Sequence, residues 1–279
     1  MLKVLKPGFF TTIQDSGRFG YRDKGVPVSG AMDMISVFRL NTLLENKENA
    51  AVLEITMTGP TLLFESDTYI ALAGAWLSPT LNNKPIDNYK VYKIVKGDIL
   101  SYGRLEKGFR SYLAVKGGFK TQIVLGSRSQ YFPLSDTKCI AESQELNFEE
   151  TSNFKPKISE LQTGTNLDFN FLEVQKGPEY DMLNDKQLEE LFINDFSISK
   201  ENNRMAYQLN ETIEGHSNTV LTSATLPGTV QFTPAGKLII LMKDGQTTGG
   251  YPRILQLSEE AISVLAQKKH GDFLKFKLI

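Results

Sequence analysis

Thr229-Val-Gln-Phe-Thr-Pro-Ala-Gly-Lys-Leu-Ile-Ile-Leu-Met242 places two short apolar-rich elements four residues apart. The N-terminal half carries the same arrangement, Thr61-Leu-Leu-Phe64, four residues, then Tyr69-Ile-Ala-Leu72. The order continues outward from this pair. Gly97-Asp98-Ile-Leu-Ser-Tyr102 corresponds to Gly271-Asp272-Phe-Leu-Lys-Phe276, and upstream Arg18-Phe-Gly-Tyr-Arg22 corresponds to Arg204-Met-Ala-Tyr-Gln208. Four elements recurring in one order predict two related β-rich halves in tandem, with loops of unequal length. Between Ser135 and Phe169 the chain is rich in Ser, Thr, Asn, Glu and Lys, the composition of a connection or a mobile insertion. The boundary is therefore placed near residue 160, giving halves 1–160 and 161–279.

Strand signals dominate both halves. Tyr89–Val95 and Phe273–Leu278 alternate apolar with charged residues, the period of a half-buried antiparallel strand. Tyr69–Ala73, Ser111–Val115 and Lys237–Met242 are short apolar runs bounded by Gly or Pro, which predicts more deeply buried strands. Three helices interrupt them. The first is expected from Met34 to Glu45, capped by Asp33, with Ile35, Phe38 and Leu43 facing inward. The second is expected from Asp185 to Phe192 behind an Asn184-x-x-Gln187 capping box. In the third, Ser258 is the cap, Glu259 and Glu260 oppose the positive end of the helix dipole, and Leu257 staples against Ile262.

Composition excludes several classes of partner. In 279 residues, 31 Lys plus Arg nearly balance 32 Asp plus Glu without a basic block, which argues against nucleic acid and anionic membrane as partners. No apolar run approaches the ~18 residues of a membrane span and the N-terminus does not read as a signal peptide, so a cytosolic location is expected. The single Cys139 forbids an internal disulfide, and two histidines far apart, His216 and His270, give no metal-ligand spacing. A small molecule is the expected substrate.

The polar chemistry gathers at turns. Asp244-Gly-Gln-Thr-Thr-Gly-Gly-Tyr-Pro252 follows the apolar run Leu238–Met242 and puts an amide and two hydroxyls beside a glycine pair, where backbone N–H groups can approach a ligand closely. In the first half, residues 7–22 carry Thr11, Thr12, Gln14, Asp15, Arg18, Tyr21 and Arg22 among three glycines, and the next loop brings Ser29, Gly30 and Asp33. Such groups suit a planar polar ligand, a carboxylate, urea or lactam. Plainer roles compete: Asp33 as a helix cap, Gly249-Gly250 as turn punctuation, Arg18 and Arg204 in structural ion pairs, and Tyr21 and Tyr207 as packing residues. Asp98 and Asp272, each after a glycine, read as turn residues and stand outside the site.

Thr-Thr-Ile-Gln-Asp-x-Gly-Arg-x-Gly-Tyr-Arg at 11–22, Val-Pro-x-Ser-Gly-Ala-Met-Asp at 26–33, Gly-Ser-Arg-Ser at 126–129 and Gln-Thr-Thr-Gly-Gly-Tyr-Pro at 246–252 resemble the allophanate hydrolase subunit 2-like family. That family includes the C subunit of the ATP-dependent 5-oxoprolinase and the biotin-dependent carboxyltransferase region of urea carboxylase. The resemblance implies a mainly β fold of two tandem cyclophilin-like β-barrel domains with a few short helices. It also implies a hetero-oligomer with proteins like the B and A subunits of 5-oxoprolinase.

In the oxoprolinase reading, which the resemblance favours, ATP cleavage drives the opening of 5-oxoproline to glutamate. Gln246, Thr247, Asp15 and Arg18 are then the catalytic candidates. Thr12, Gln14, Tyr21, Arg22, Ser29, Asp33, Arg128, Arg204, Tyr207, Thr248, Gly249, Gly250 and Tyr251 are the substrate-binding ones, with Arg18, Arg22 and Arg204 neutralising phosphate or carboxylate. In the alternative, carboxybiotin on a partner delivers CO2 to urea or a related amide. In the other, the chain is a non-catalytic partner antagonising a histidine-kinase inhibitor. No covalent cofactor is implied, because the chain contains neither an Ala-Met-Lys-Met biotin site nor a P-loop. It departs from the family at Gln208 and Gly245, where arginines are usual, at Ser223-Ala-Thr225 for Ser-Glu-Gly, and between Tyr131 and Leu146, where a glycine-rich stretch is missing.

Overall fold

The computed structural model describes residues 1–162 and 170–279. Its contacts divide the chain into two units, Met1–Arg18 with Ser29–Leu167, and Phe19–Val28 with Asp168–Ile279. The ten residues after Arg18 therefore cluster with the C-terminal half, although they stand in the N-terminal part of the sequence.

The first unit contains β1 (Leu2–Lys6), β2 (Phe10–Gln14), α1 (Met34–Leu43), β3 (Val52–Thr56), β4 (Thr61–Phe64), β5 (Thr68–Trp76), β6 (Thr80–Leu81) and β7 (Lys84–Pro85). It continues with β8 (Val91–Ile94), β9 (Ile99–Ser101), β10 (Lys107–Val115) and β11 (Glu145–Leu146). They form a six-stranded sheet ordered β11-β1-β4-β9-β6-β7 and a five-stranded sheet ordered β2-β3-β10-β5-β8. β5 and β10 are apolar on both faces for a simple reason. Ile70, Leu72, Leu113 and Val115 enter the larger core with Leu2, Leu62 and Phe64, while the alternate residues Tyr69, Ala71, Ala73, Tyr112 and Ala114 share a second core with Val37, Leu40 and Leu44 on and just after α1. The small alanines on that face let the helix lie close.

α1 begins where Asp33 predicts, its carboxylate accepting the Ser36 N–H at 2.9 Å. Its buried face is another matter. Val37, Leu40, Leu43 and Leu44 are buried, Ile35 is half-buried, and Phe38 is 53% exposed. Positions 37, 40, 41 and 44 follow the helical repeat toward the sheet, and Phe38 is rotated about 100° from Val37. The expectation for Ile35 and Phe38 is corrected accordingly.

The stretch from Ser135 is corrected as well. Ile140, Leu146 and Phe148 are buried in the larger core, β11 pairs with β1, and Leu161 N–H donates to the Tyr89 carbonyl at 2.9 Å. A polar composition concealed a few well-spaced core residues. Thr163–Phe169 lie outside the described residues.

The second unit contains β12 (Phe171–Lys176), α2 (Asp185–Ile193), β13 (Phe196–Asn202), β14 (Ala206–Thr212), β15 (Ser223–Ala224), β16 (Thr229–Phe232), β17 (Lys237–Leu241), β18 (Thr248–Gly249), β19 (Arg253–Leu257), α3 (Glu259–Ala266) and β20 (Phe273–Leu278). Seven of these strands close a barrel, β12-β19-β16-β17-β14-β13-β20, and β15 pairs with β18. α2 carries the reciprocal Asn184 and Gln187 capping box, and Ser258 caps α3 through the Ala261 N–H.

The internal repeat holds for three of its four elements, β4, β5 and β9 standing where β16, β17 and β20 stand in the second unit. Arg18–Arg22 forms no strand whereas Ala206–Gln208 begins β14, and the ladders differ as well. β16 and β17 pair directly, Val230 opposite Ile240, whereas β4 and β5 lie in different sheets. Asp98 and Asp272 do recur in one role. Each accepts a backbone N–H from three residues upstream, Val95 at 2.8 Å and Lys269 at 2.9 Å, beside a glycine of positive φ.

Candidate functional site

In the first unit the polar residues converge on Asp15. Its Oδ1 accepts the Ser127 hydroxyl at 2.6 Å, the Ser129 hydroxyl at 2.7 Å and the Gly17 N–H at 2.8 Å, and Oδ2 accepts the Arg128 N–H at 2.6 Å. Asp15 as a whole is 5% exposed. A buried charge needs this many donors to offset its lost hydration. It fastens the 127–129 segment to the end of β2, where the Gln130 N–H donates to the Ile13 carbonyl at 2.8 Å and the Ile13 N–H donates to the Gln130 side-chain Oε1 at 2.8 Å. Arg18 is 1% exposed and donates to the Ser129 carbonyl at 2.5 Å. Thr12 and Gln14 are buried and bonded to each other, and Gln14 reaches the Gln130 carbonyl at 3.2 Å. These groups form an internal brace.

Ser29 is buried at φ 56°. Gly30 follows at φ 85°, where a Cβ would stand 2.9 Å from the backbone of Ser16 and Gly17. Asp33 engages both carboxylate oxygens with Ser36, and its own N–H donates to Tyr112 Oη at 2.9 Å. Tyr112 in turn donates to Glu54 at 3.0 Å, in a buried cluster with Arg110 that the sequence did not signal. Burial beside the Glu54 and Asp33 carboxylates pushes the Tyr112 hydroxyl far above its ordinary range. Arg128 alone among these candidates turns its side chain outward, between the inward Ser127 and Ser129, as an extended segment requires.

In the second unit a different construction supports the glycine-rich loop. Arg204 grips Asp244 with two bonds, Nε to Oδ2 at 2.8 Å and Nη2 to Oδ1 at 3.2 Å, and the Asp244 N–H donates to the Arg204 carbonyl at 2.8 Å. Thr225 holds the next turn, its hydroxyl donating to the Gln246 carbonyl at 2.5 Å and its N–H to the Thr247 carbonyl at 3.0 Å. Arg22 donates to the Thr225 carbonyl, and partial burial lowers its guanidinium from the ordinary value. Thus Arg22, Thr225 and residues 246–249 form one group.

Within that group Gln246 and Thr248 are exposed, Tyr251 is 42% exposed, and Gly249 is buried. A Cβ at Gly249 would fall 2.3 Å from Gln231 Nε2 and 2.9 Å from Gln246 Nε2. The glycine is therefore a close-approach position that lets two carboxamides meet its backbone. Gln246 Nε2 also donates to Gln231 Oε1 at 3.4 Å. Tyr21 lies near Lys24, and Tyr207 is fully buried with its hydroxyl on the Lys268 carbonyl, a packing role.

The profile of the family "carboxyltransferase domain, subdomain A and B" matches residues 24–278. The chain belongs to this family. It is 32% identical to the C subunit of 5-oxoprolinase from Escherichia coli K12, over 99% of this chain and 90% of that protein. It is 32% identical to the corresponding Haemophilus influenzae protein, over 100% of this chain and 91% of that one. Urea amidolyase of Lachancea kluyveri is 29% identical over 98% of this chain, which spans only 17% of that longer protein. Among solved structures, TTHA0988 superposes with a TM-score of 0.89 at 25% identity, over 99% of this chain and 55% of that one. Kluyveromyces lactis urea amidolyase gives 0.87 at 28%, over 99% and 18%. The chain thus spans about half the TTHA0988 chain and a small part of the urea amidolyases.

The departures from the usual carboxyltransferase pattern have local consequences. Gln208 accepts a bond from Lys237 Nζ at 2.9 Å, where a guanidinium would meet a like charge. At Gly245 a Cβ would stand 2.8 Å from the Met242 carbonyl oxygen, so the arginine that the resemblance implies here would require this turn to shift. Ser127 and Ser129 belong to the Gly-Ser-Arg-Ser motif without being among the sequence candidates, and their alternation about Arg128 is the available signal. Gln231 escapes a reading of the sequence because it sits inside a short strand, where a lone polar residue reads as solvent-facing. Among the described residues no cluster of His, Cys, Asp or Glu has metal-ligating geometry, and no helix is long and apolar enough to cross a membrane.

Proposed function

We propose that the chain is the C subunit of a 5-oxoprolinase, acting in the cytoplasm with A-like and B-like subunits to open the 5-oxoproline lactam to glutamate. The observation that carries this reading is the 32% identity with two such C subunits, over 99% and 100% of this chain and 90% and 91% of theirs. The geometry supports a binding role for the 246–251 loop: exposed amide and hydroxyl donors stand on a base locked by Arg204 and Asp244, beside the Arg22 guanidinium.

A lactam presents one carbonyl oxygen and one carboxylate. Gln246, Thr247 and Thr248 offer neutral donors for the carbonyl, and Arg22 offers the cation for the carboxylate. Fixed donors stabilise the charge that develops on the amide oxygen as its C–N bond opens, without reorganising during the reaction. In this reading ATP is a substrate of the complex and supplies the driving force for cleavage.

The test is 5-oxoproline-dependent ATP hydrolysis by the co-purified complex. Gln246→Ala and Arg22→Gln are each expected to lower turnover by about tenfold to a hundredfold with unchanged thermal melting. Absence of turnover in a complex that assembles, or turnover indifferent to both substitutions, overturns the catalytic role and favours an interaction role such as antagonism of a histidine-kinase inhibitor. The family profile and the urea amidolyase relatives favour a second reading, carboxyl transfer from carboxybiotin on a partner to urea or a related amide. Urea-dependent consumption of bicarbonate and ATP with a biotin-carrying partner separates it from the first.

A further inference from the structure

A cavity of about 550 Å³ opens beside the 126–128 segment of the first unit, a size that accommodates a small organic molecule. Four cations line it, Lys47, Lys116, Lys120 and Arg128, with three carboxylates, Asp15, Glu45 and Glu149. The carboxylates are engaged. Asp15 accepts four donors, Glu45 accepts the Lys157 N–H at 2.9 Å, and Glu149 pairs with Lys120 at 3.1 Å. Lys116 is engaged too, donating to the carbonyls of Leu44 at 2.7 Å and Glu45 at 3.2 Å. Lys47 and Arg128 remain, and neither side chain has a hydrogen bond or ion pair among the described residues.

Arg128 is the better placed of the two. Its main chain is clamped to Asp15 between Ser127 and Ser129, so ordering its side chain on a ligand requires no loop rearrangement. It also lines, with Lys120, a second hollow of about 360 Å³. Gly126 at the cavity wall has φ 80° and open space where a Cβ would stand. A guanidinium fork recognises two coplanar oxygens of one group, the pattern of a carboxylate or a phosphate.

We propose that this cavity is an anion-binding site for a small molecule bearing a carboxylate or phosphate, with Arg128 as the primary contact and Lys47 as the secondary one. The site is read from binding alone, so it stands or falls independently of the oxoprolinase reading.

Isothermal titration of the full chain with inorganic phosphate and, separately, glutarate at low salt tests it. At least one probe is expected to bind saturably at one site, with affinity reduced about tenfold in Arg128→Gln and about threefold in Lys47→Gln. Phosphate alone binding points to a phosphate ester, and glutarate alone points to a carboxylate. Thermal melting checks that each variant is folded. Should Arg128→Gln fail to fold, Gly126→Asp and Gly126→Asn decide, because both residues tolerate the backbone there and only the first adds a negative charge. The aspartate is expected to weaken binding and the asparagine to preserve it. No saturable binding of either probe to the wild-type chain overturns the proposal. So does equal affinity in folded Arg128→Gln, or in the aspartate and asparagine variants.

Discussion

Each unit fixes its polar loop with one aspartate, but the two solve the problem differently. Asp15 gathers two hydroxyls and two backbone N–H groups, whereas Asp244 is held by one guanidinium in a bidentate pair. The first arrangement consumes the polar groups it organises, leaving only the Arg128 side chain directed outward. The second gathers its bonds at the base and leaves Gln246, Thr248 and Tyr251 at the surface. A motif rich in polar residues is therefore no measure of how many of them can reach a ligand.

The sharpest way to break this comparison is Asp244→Ala. It leaves the Arg204 guanidinium without its carboxylate at 7% exposure, and is expected to cost the second unit about 3–5 kcal/mol. Trp76 on β5 is the sole tryptophan, so its fluorescence reports the first unit while circular dichroism reports both. Urea unfolding should move the dichroism transition and spare the Trp76 one. Equal movement of both would show that the units unfold together. Asp15→Asn is the counterpart, expected to cost the first unit about 1–3 kcal/mol because a charge-assisted acceptor is replaced by a group that must also donate. Here the Trp76 transition should move.

Smaller effects separate binding from stability. Gly249→Ala should displace the Gln231 and Gln246 carboxamides and lower turnover of the complex by about tenfold, equivalent to ~1.4 kcal/mol, with little change in melting. Melting that falls as steeply as turnover would make the glycine a folding requirement instead. The Glu179–Arg253 pair tests the second unit by pH. The hydrogen bond from Arg253 lowers the Glu179 carboxyl below its ordinary value and raises Arg253. A carboxyl lowered by folding stabilises the native state fully above its unfolded value, and that contribution is lost as pH falls through the folded one. Acid unfolding should therefore be less steep in Glu179→Gln than in wild type, and identical profiles would remove the pair from the account. The smallest effect belongs to Phe38→Ala, which should change stability by less than about 0.5 kcal/mol because the ring is 53% exposed, against ~2–5 kcal/mol for buried Leu40→Ala.

Local chemistry was legible in the sequence. The Asp33 cap, the Asn184 and Gln187 box, the Ser258 cap and the Gly-Asp turns at 97–98 and 271–272 all use partners within three or four residues, so the pattern contains both ends of each bond. The helix face was less legible. Short α1 carries apolar residues at 35, 37, 38 and 40, and only the alanine-rich face of β5 and β10 selects Val37 and Leu40. The candidate site divided in the same way. The 244–252 loop announced itself by composition, while Ser127, Ser129 and Gln231 act on residues 15 to 114 positions away and carry no mark in their neighbours.

The sequence by itself determined which segments become strands and helices, because alternation, capping and glycine placement are properties of consecutive residues. Only the tertiary structure decided that β16 joins β17 while β4 and β5 part into different sheets, and that residues 19–28 join the C-terminal unit. A strand offers the same N–H and C=O groups to any neighbour, so the choice of partner rests on side chains brought together from distant parts of the chain.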